Sequence, residues 1–437
     1  MYREIIKGFS QLTKDEKLEK VAQFAKNPEE AAKILKSFWI KDPEFAKRFD
    51  EFSENTISVF GLPYGIAPNF LINGKRYLVP MVIEESSVVA AASKSAKFWA
   101  EHGGFKSEII STIKTGHVHF FWEGNYAKFN EIFPELKQRM IERTNDITKN
   151  MRARGGGILD ITLENHTAEL ENYYQIKASF ETIDSMGANF INSCLEEFAE
   201  ELKEFLREKN SYFSPQEQEC EIIMAILSNY TPDCIVETSV ECKVQDFENL
   251  DIDMSPDRFV RKFKAAVDIA NVSIYRATTH NKGIFNGIDA VALATGNDFR
   301  ALEAGGHVYA SSTGKYRSLS FVELNGDNFR FGIRVPIAVG TIGGLTRLHP
   351  LAKLSLEILG NPKARELMTI MSAAGLANNF GAVKSLVTKG IQIGHMRMHL
   401  INILNSFEAS DEEKEKAKEY FKTHKVSVDN VRKFLNR

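Results

Sequence analysis

Cysteine is scarce in this chain. Cys194, Cys220, Cys234 and Cys242 are the four among 437 residues, and no two form a CxxC pair. That excludes a disulfide framework and leaves reduced thiols as the simple reading. Tryptophan is rarer still, at 3, although phenylalanine reaches 31. Long apolar runs are missing: none approaches the ~20 residues needed to span a bilayer. The opening segment, MYREIIKGFSQLTKDEKLEK, mixes acids and bases and has no apolar core or small-residue cleavage site. A soluble, cytoplasmic protein is expected, with no membrane partner. An excess of either charge is also lacking. Lys plus Arg number 55 and Asp plus Glu 58, a net charge of -3, so there is no basic footprint for nucleic acid. Several nucleotide and hydrolase signatures are absent too: GxGxxG after a strand, GxxxxGK[ST], GxSxG and HExxH.

What is present supports a large globular chain. Apolar residues make up 43% and charged residues 26%, and the length calls for two or three structural units. Residues 1 to about 50 read as short, charged amphipathic helices. The segment Lys75 to Ile83 reads as a strand. VVAAAS from Val88 opens a helix that is apolar almost all round and so is expected to be deeply buried. The texture changes near Ser111. Phe133, Leu136, Met140, Ile147 and Met151 recur at helical spacing, predicting one helix that ends at Gly155, Gly156 and Gly157. In ILDITLEN, Leu159, Ile161 and Leu163 are placed on one face of a strand, with Asp160, Thr162 and Glu164 on the other. A second strand, YQIKASFETI, runs through DSMGAN into a helix with Ile191, Leu195, Phe198, Leu202 and Phe205 on one stripe. From 229 onward glycine punctuation returns, and from about 380 the chain is helical and charged. The predicted class is α+β. A large domain formed by 1–110 and 229–379 carries an inserted small antiparallel-sheet domain, 111–228, and a C-terminal helical domain follows, 380–437.

Four constellations can carry chemistry, and each has a plain structural alternative. Asp184-Ser185-Met186-Gly187-Ala188-Asn189 sits where a strand turns into a helix. Free N–H groups can face a phosphate there, or Asp184 or Ser185 can simply cap the helix. Asp160, just after the triple glycine, can accept from a ribose diol and repel a 2′-phosphate, or be an ordinary surface acid. In THNKGIFNG, Lys282 is expected in a tight polar turn. It can stabilise an oxyanion there, with Asp298 of TGNDFR bonded to it, or be a solvated loop lysine near a helix-capping acid. Glu84-Glu85 precedes a buried helix, as first-turn acids or as a proton donor. His395 and His399 in GHMRMH share a helix face, but no third ligand accompanies them, so no metal is expected. His395 suits acid–base work better.

Several segments, in order along nearly the whole chain, carry a resemblance. They are ENTISVFGLPYGIAPNFLINGKRYLVPMVIEESSVVAAAS, RGGGILDI, DSMGAN, YRATTHNKGIFNGIDAVALATGNDFRALEAG, VGTIGGLTRLHP and GLANNFGAVKSLVTKGIQIGHMRMH. Together they resemble the class II, bacterial hydroxymethylglutaryl-CoA (HMG-CoA) reductases. The resemblance implies interconversion of HMG-CoA and mevalonate plus CoA by two NAD(P)H-dependent hydride transfers. It implies catalytic roles for Glu85, Lys282, Asp298 and His395, and substrate contacts from Arg276 and Asn286. It places Asp160, Asp184, Met186, Gly187, Asn189 and Asn229 at a dinucleotide site, with NADH favoured over NADPH on account of Asp160. It further implies a large substrate-binding domain, a small dinucleotide-binding domain, a C-terminal flap and a homodimer. The chain departs from the family at Ser86, where proline is usual after the glutamate pair. The alternative reading is a non-catalytic homologue that binds CoA thioesters.

Overall fold

Capping residues set the helices of the amino-terminal segment. In the computed structural model, which describes residues 6–250, 252–388, 400–424 and 426–437, α1 (Lys14–Ala22) starts at a reciprocal capping box between Thr13 and Glu16. α2 (Pro28–Ser37) follows the Asn27 cap and α3 (Pro43–Asp50) the Asp42 cap, each with proline in its first turn. Lys14 Nζ donates to Asp50 at 2.6 Å, tying α1 to the end of α3. Met1–Pro63 form a compact unit of their own. The sequence assigned these helices to the large domain; α1 buries Leu18 and Ala22, while α2 and α3 bury no residue.

The second unit, Tyr64–Arg437, opens with a hairpin of β1 (Tyr64–Ile72) and β2 (Lys75–Val82). Asn73 and Gly74 take φ of +48° and +81°, the two-residue turn an Asn-Gly pair favours. Next comes α4 (Val88–Glu101). It buries one side, including Ala92, Ala96 and Trp99, but leaves Ala90 exposed, so the expectation of burial all round is too strong. β3 (Lys106–Ile109) lies at the edge of a four-stranded antiparallel sheet in the order β3-β8-β10-β9, formed with β8 (Ile235–Lys243), β9 (Ser320–Asn325) and β10 (Asn328–Pro336). Against these strands pack α8 (Pro256–Val272), α9 (Ile274–Ala294), α10 (Phe299–Ala310) and α13 (Ala364–Val387). The short α11 (Leu345–Leu348) and α12 (Pro350–Ile358) precede α13. Helices α9 and α13 approach backbone to backbone. A Cβ on Gly287 would lie 2.3 Å from Ala374 O, so only glycine permits the crossing. α13 runs to Val387 with Phe380, Val383 and Val387 in the core. The boundary expected at 379 therefore falls inside a buried helix.

Between β3 and β8 the chain builds a second core. β4 (Lys114–Trp122), β5 (Gly157–Asn165), β6 (Tyr173–Glu181) and β7 (Cys220–Leu227) form an antiparallel sheet ordered β5-β6-β4-β7. The predicted stripe of α7 (Ala188–Glu208) covers it with Ile191, Leu195, Phe198, Leu202 and Phe205 fully buried. Two local expectations fail here. The single helix before the glycines is two, α5 (Tyr126–Arg143) and α6 (Asn145–Arg152), broken at Thr144, whose hydroxyl bonds back to Met140 O at 2.9 Å. Leu159 does not share a face with Ile161 and Leu163. A bulge between Ile158 and Asp160 makes it the unpaired extra residue, 53% exposed. A third apolar cluster, including Leu404, Ala417, Phe421 and Val431, joins residues 400–406 with α14 (Asp411–Tyr420) and α15 (Val428–Phe434).

Candidate active site

Lys282 is not in a turn. It lies midway along α9, a 21-residue helix, and its neighbours explain why. His280 Nε2 meets Ser320 Oγ at 2.6 Å. Asn281 donates to Arg317 O at 2.7 Å and accepts from Leu319 N at 3.0 Å. Both side chains are buried and pin the helix to the strand it covers, while Gly283 lies within 4 Å of Ala382 and Asn379 of α13 when given a Cβ. The polar and glycine residues that suggested a loop are packing devices. Burial pushes the His280 imidazole down to about 3, so it stays neutral. Lys282 and Asn286, four apart, share the opposite, open side of the helix. Arg276 lies six residues before Lys282, half-buried, and burial lowers its pKa.

Glu85 reaches this lysine from a distant part of the chain. It lies in the link between β2 and α4, ahead of the helix, whose first turn contains no acid, so it does not serve the helix dipole. Its Oε2 accepts from Lys282 Nζ across 197 residues of sequence. Asp298 does not join them as expected. Its Oδ1 caps α10, accepting from Arg300 N at 3.1 Å and Ala301 N at 3.2 Å, and it also receives Arg300 Nε at 3.3 Å. Among the described residues Asp298 makes no bond to Lys282: the cap turns its carboxylate towards its own helix. His395 lies outside the described residues.

A cleft beside α10 and β10 collects part of the expected dinucleotide set. Met186 and Asn229 line it together with Ala188, Leu302, Gly305 and Lys114. Asn189 is exposed in the first turn of α7. Neither Asp184 nor Ser185 caps that helix; its N-cap is Gly187, with no side-chain bond to the helix amides. Gly187 has a φ of +94°, and a Cβ there would lie 2.5 Å from Thr182 Cγ2, so the turn requires glycine. Asp184 is bonded to backbone groups of the large domain. Its Oδ1 accepts from Ala364 N at 2.9 Å, and its carbonyl accepts from Thr341 N at 2.8 Å and Ile342 N at 3.3 Å. Asp160 is exposed and ion-paired with Lys137, whose hydrogen bond holds its carboxyl below the ordinary value. Lys137 and Lys114 escaped sequence reasoning. Lys114 sits in an alternating run, STIKTGHVHFF, that carries no functional pattern.

The family model described as hydroxymethylglutaryl-coenzyme A reductase matches residues 14–400. The chain is 36% identical over 436 residues to the 3-hydroxy-3-methylglutaryl-coenzyme A reductase of Archaeoglobus fulgidus, spanning 99% of this chain and 94% of that protein. This chain belongs to the HMG-CoA reductase family. A solved class II HMG-CoA reductase from Streptococcus pneumoniae, bound to NADPH in open conformations, matches it with a TM-score of 0.71 at 36% identity, covering 87% of this chain and 99% of that one. Another structure of an HMG-CoA reductase from Streptococcus pneumoniae covers 98% and 99%, with a TM-score of 0.72 and 34% identity. The α+β architecture is that of class II HMG-CoA reductases. Among the described residues no helix is long and apolar enough to cross a membrane.

Proposed function

We propose that this chain is an HMG-CoA reductase that interconverts HMG-CoA and mevalonate plus CoA, with two reduced nicotinamides consumed per thioester. The observation that carries the reading is the Lys282–Glu85 pair, an ammonium and a carboxylate brought together from α9 and the β2–α4 link. A thioester oxygen that gains negative charge during reduction needs a preorganised donor, and Lys282 Nζ is that donor. The proton for the aldehyde oxygen in the second reduction is assigned to this pair: Glu85 delivers it as the carboxylic acid, after its carboxylate has taken a proton from the ammonium it is bonded to or from solvent. His395 is assigned by resemblance to protonating the departing CoA thiolate. Arg276 and Asn286, on the same helix as Lys282, are assigned to the substrate, and Asp298 to α10 at the site's edge.

The cleft fits a dinucleotide on two grounds. Met186 and Ala188 supply apolar contact, and the amino end of α7 has no side-chain cap, leaving amides for a diphosphate. When bound, the reduced nicotinamide supplies hydride. Met186, Gly187, Asn189 and Asn229 would hold it, while Asp184 fixes the turn from behind. We assign NADH as the preferred cofactor, with Asp160 as the discriminating acid and Lys137 tempering its charge. We also assign a homodimer. Val272 and Tyr275 are 86% and 88% exposed at the α8–α9 junction, beside Arg276, an apolar surface suited to a second copy.

The test is nicotinamide absorbance with purified protein and HMG-CoA, with thiol release followed in parallel. Two reduced cofactors oxidised per thiol is the expected result. Thiol release without oxidation would indicate a hydrolase, and no reaction with either cofactor would indicate a non-catalytic thioester-binding homologue.

A further inference from the structure

Lys114 opens β4 and is only 6% exposed. Among the described residues it has no carboxylate within ion-pair distance; its Nζ donates instead to Thr182 Oγ1 at 2.5 Å and to Ser185 O at 2.8 Å. Thr182 Oγ1 in turn donates to Ser185 O at 2.7 Å. The ammonium thus closes a triangle over the turn that leads into α7. Burial lowers the pKa of Lys114, as expected for a charge taken from water without an opposite charge in contact. An apolar side chain of the same length would fill this space with less desolvation, so packing does not account for the charge.

The turn itself gives the charge a task. Ile183 has a φ of +53°, a left-handed conformation that strains a β-branched residue. Such a backbone persists only when bonds on several sides hold it. Glu181 Oε1 accepts from Ile183 N at 2.8 Å, Ser185 Oγ accepts from Gly187 N at 3.1 Å, and Asp184 is fastened to Thr341 and Ala364. Lys114 holds the remaining corners, Thr182 and Ser185. It also lines the same cleft as Met186, Ala188 and Asn229. Without it, Thr182 and Ser185 keep only the bonds between themselves, Thr182 Oγ1 to Ser185 O and Ser185 N to Thr182 O at 3.0 Å, and Ile183 can relax towards ordinary φ, carrying Met186 and Gly187 with it.

We propose that Lys114 is a positioning residue for the dinucleotide, acting through Thr182 and Ser185 to hold Met186, Gly187 and the amino end of α7 in their binding geometry. The proposal rests on the dinucleotide reading above and adds a residue to it. The effect should fall on the cofactor and spare HMG-CoA, because among the described residues the Lys114 side chain bonds only to this turn.

Lys114→Met keeps the length and removes charge and donors, while Lys114→Gln restores a donor. NADH and NADPH would be titrated into the full-length protein by nicotinamide fluorescence, and KM for each substrate measured beside thermal melting. Lys114→Met should weaken dinucleotide binding about tenfold, about 1.4 kcal/mol, with KM for HMG-CoA and the melting temperature held. Lys114→Gln should recover part of the loss. Unchanged dinucleotide binding in Lys114→Met, or equal losses for dinucleotide and HMG-CoA, would overturn the proposal. If Lys114→Met does not fold, Thr182→Val decides. It removes one corner of the triangle and should raise the cofactor KM selectively, and unchanged binding there also overturns the proposal. Wild-type protein that binds neither dinucleotide refutes the reductase reading itself, whereas wild-type binding matched by Lys114→Met refutes only the role of Lys114.

Discussion

Lys282 and Glu85 show how little of a site is written in any one segment. Their motifs were visible 197 positions apart, but an ion pair between them depends on where α9 and α4 cross, which no local pattern records. Lys282→Ala should lower kcat by ~10²-fold or more while CoA binding, measured by titration, persists. A near-normal kcat would remove the oxyanion role. Asp160 was legible as a strand acid, but its neighbour Lys137 comes from α5 and changes the electrostatics. Asp160→Ala leaves that lysine unpaired, so the NADH/NADPH ratio of kcat/KM should fall. Lys137→Ala should raise it. If both ratios stay at the wild-type value, the pair does not choose the cofactor. Gly187 was placed at a dinucleotide site by resemblance. Its φ of +94° and its contact with Thr182 make it a requirement of the backbone as well. Asp298 was visible both as a partner for lysine and as a cap, and at this scale local capping geometry prevailed.

Helix α9 is the element the sequence misrepresented most. Asn and Gly near Lys282 resembled turn chemistry because the residues that open a turn also let two helices touch. Only the presence of α13 across the gap distinguishes the cases. The amphipathic α7, with its wide apolar stripe, was fully legible, since its partner sheet needs only a continuous face. Bulge and helix break, at Leu159 and Thr144, were not, because each depends on one backbone bond. Where α9 meets α10, Asp289 faces Glu303. Burial and the adjacent carboxylate push the Asp289 carboxyl up to about 8. The folded state therefore holds a proton that the unfolded chain releases in the ordinary carboxyl range, near ~4. Stability is full below that range and is lost as pH rises through the raised value. The melting temperature of wild-type protein should drop between about pH 5 and pH 8, and Asp289→Asn should flatten that drop. A variant curve as steep as wild type would mean that Asp289 is not the group responsible.

The whole molecule was legible in outline. The α+β class and the change of texture at Ser111 could be read because an inserted unit must bring its own apolar side chains, and Val118, Phe120 and Phe180 are among them. The separate packing of Met1–Pro63 and the run of α13 to Val387 were not legible, since both depend on which surfaces meet. The exposed Val272 and Tyr275 predict that the 49.3 kDa chain sediments at about twice its mass. Tyr275→Glu should yield monomer with reduced activity, and a wild-type monomer with full activity would refute the dimer. The small sheet joins the large one through two strands of chain that run side by side, where Ile113 N bonds Asp233 O at 2.9 Å and Ile235 N bonds Ser111 O at 2.9 Å. Two such tethers alone would make a door hinge. The 182–187 turn, latched at Asp184 to Thr341 and Ala364, is a third foot set off that axis, and a body on three feet does not swing. Any opening that admits or frees nucleotide while this latch holds must come from elsewhere than the inserted sheet, and breaking the latch would set the sheet swinging.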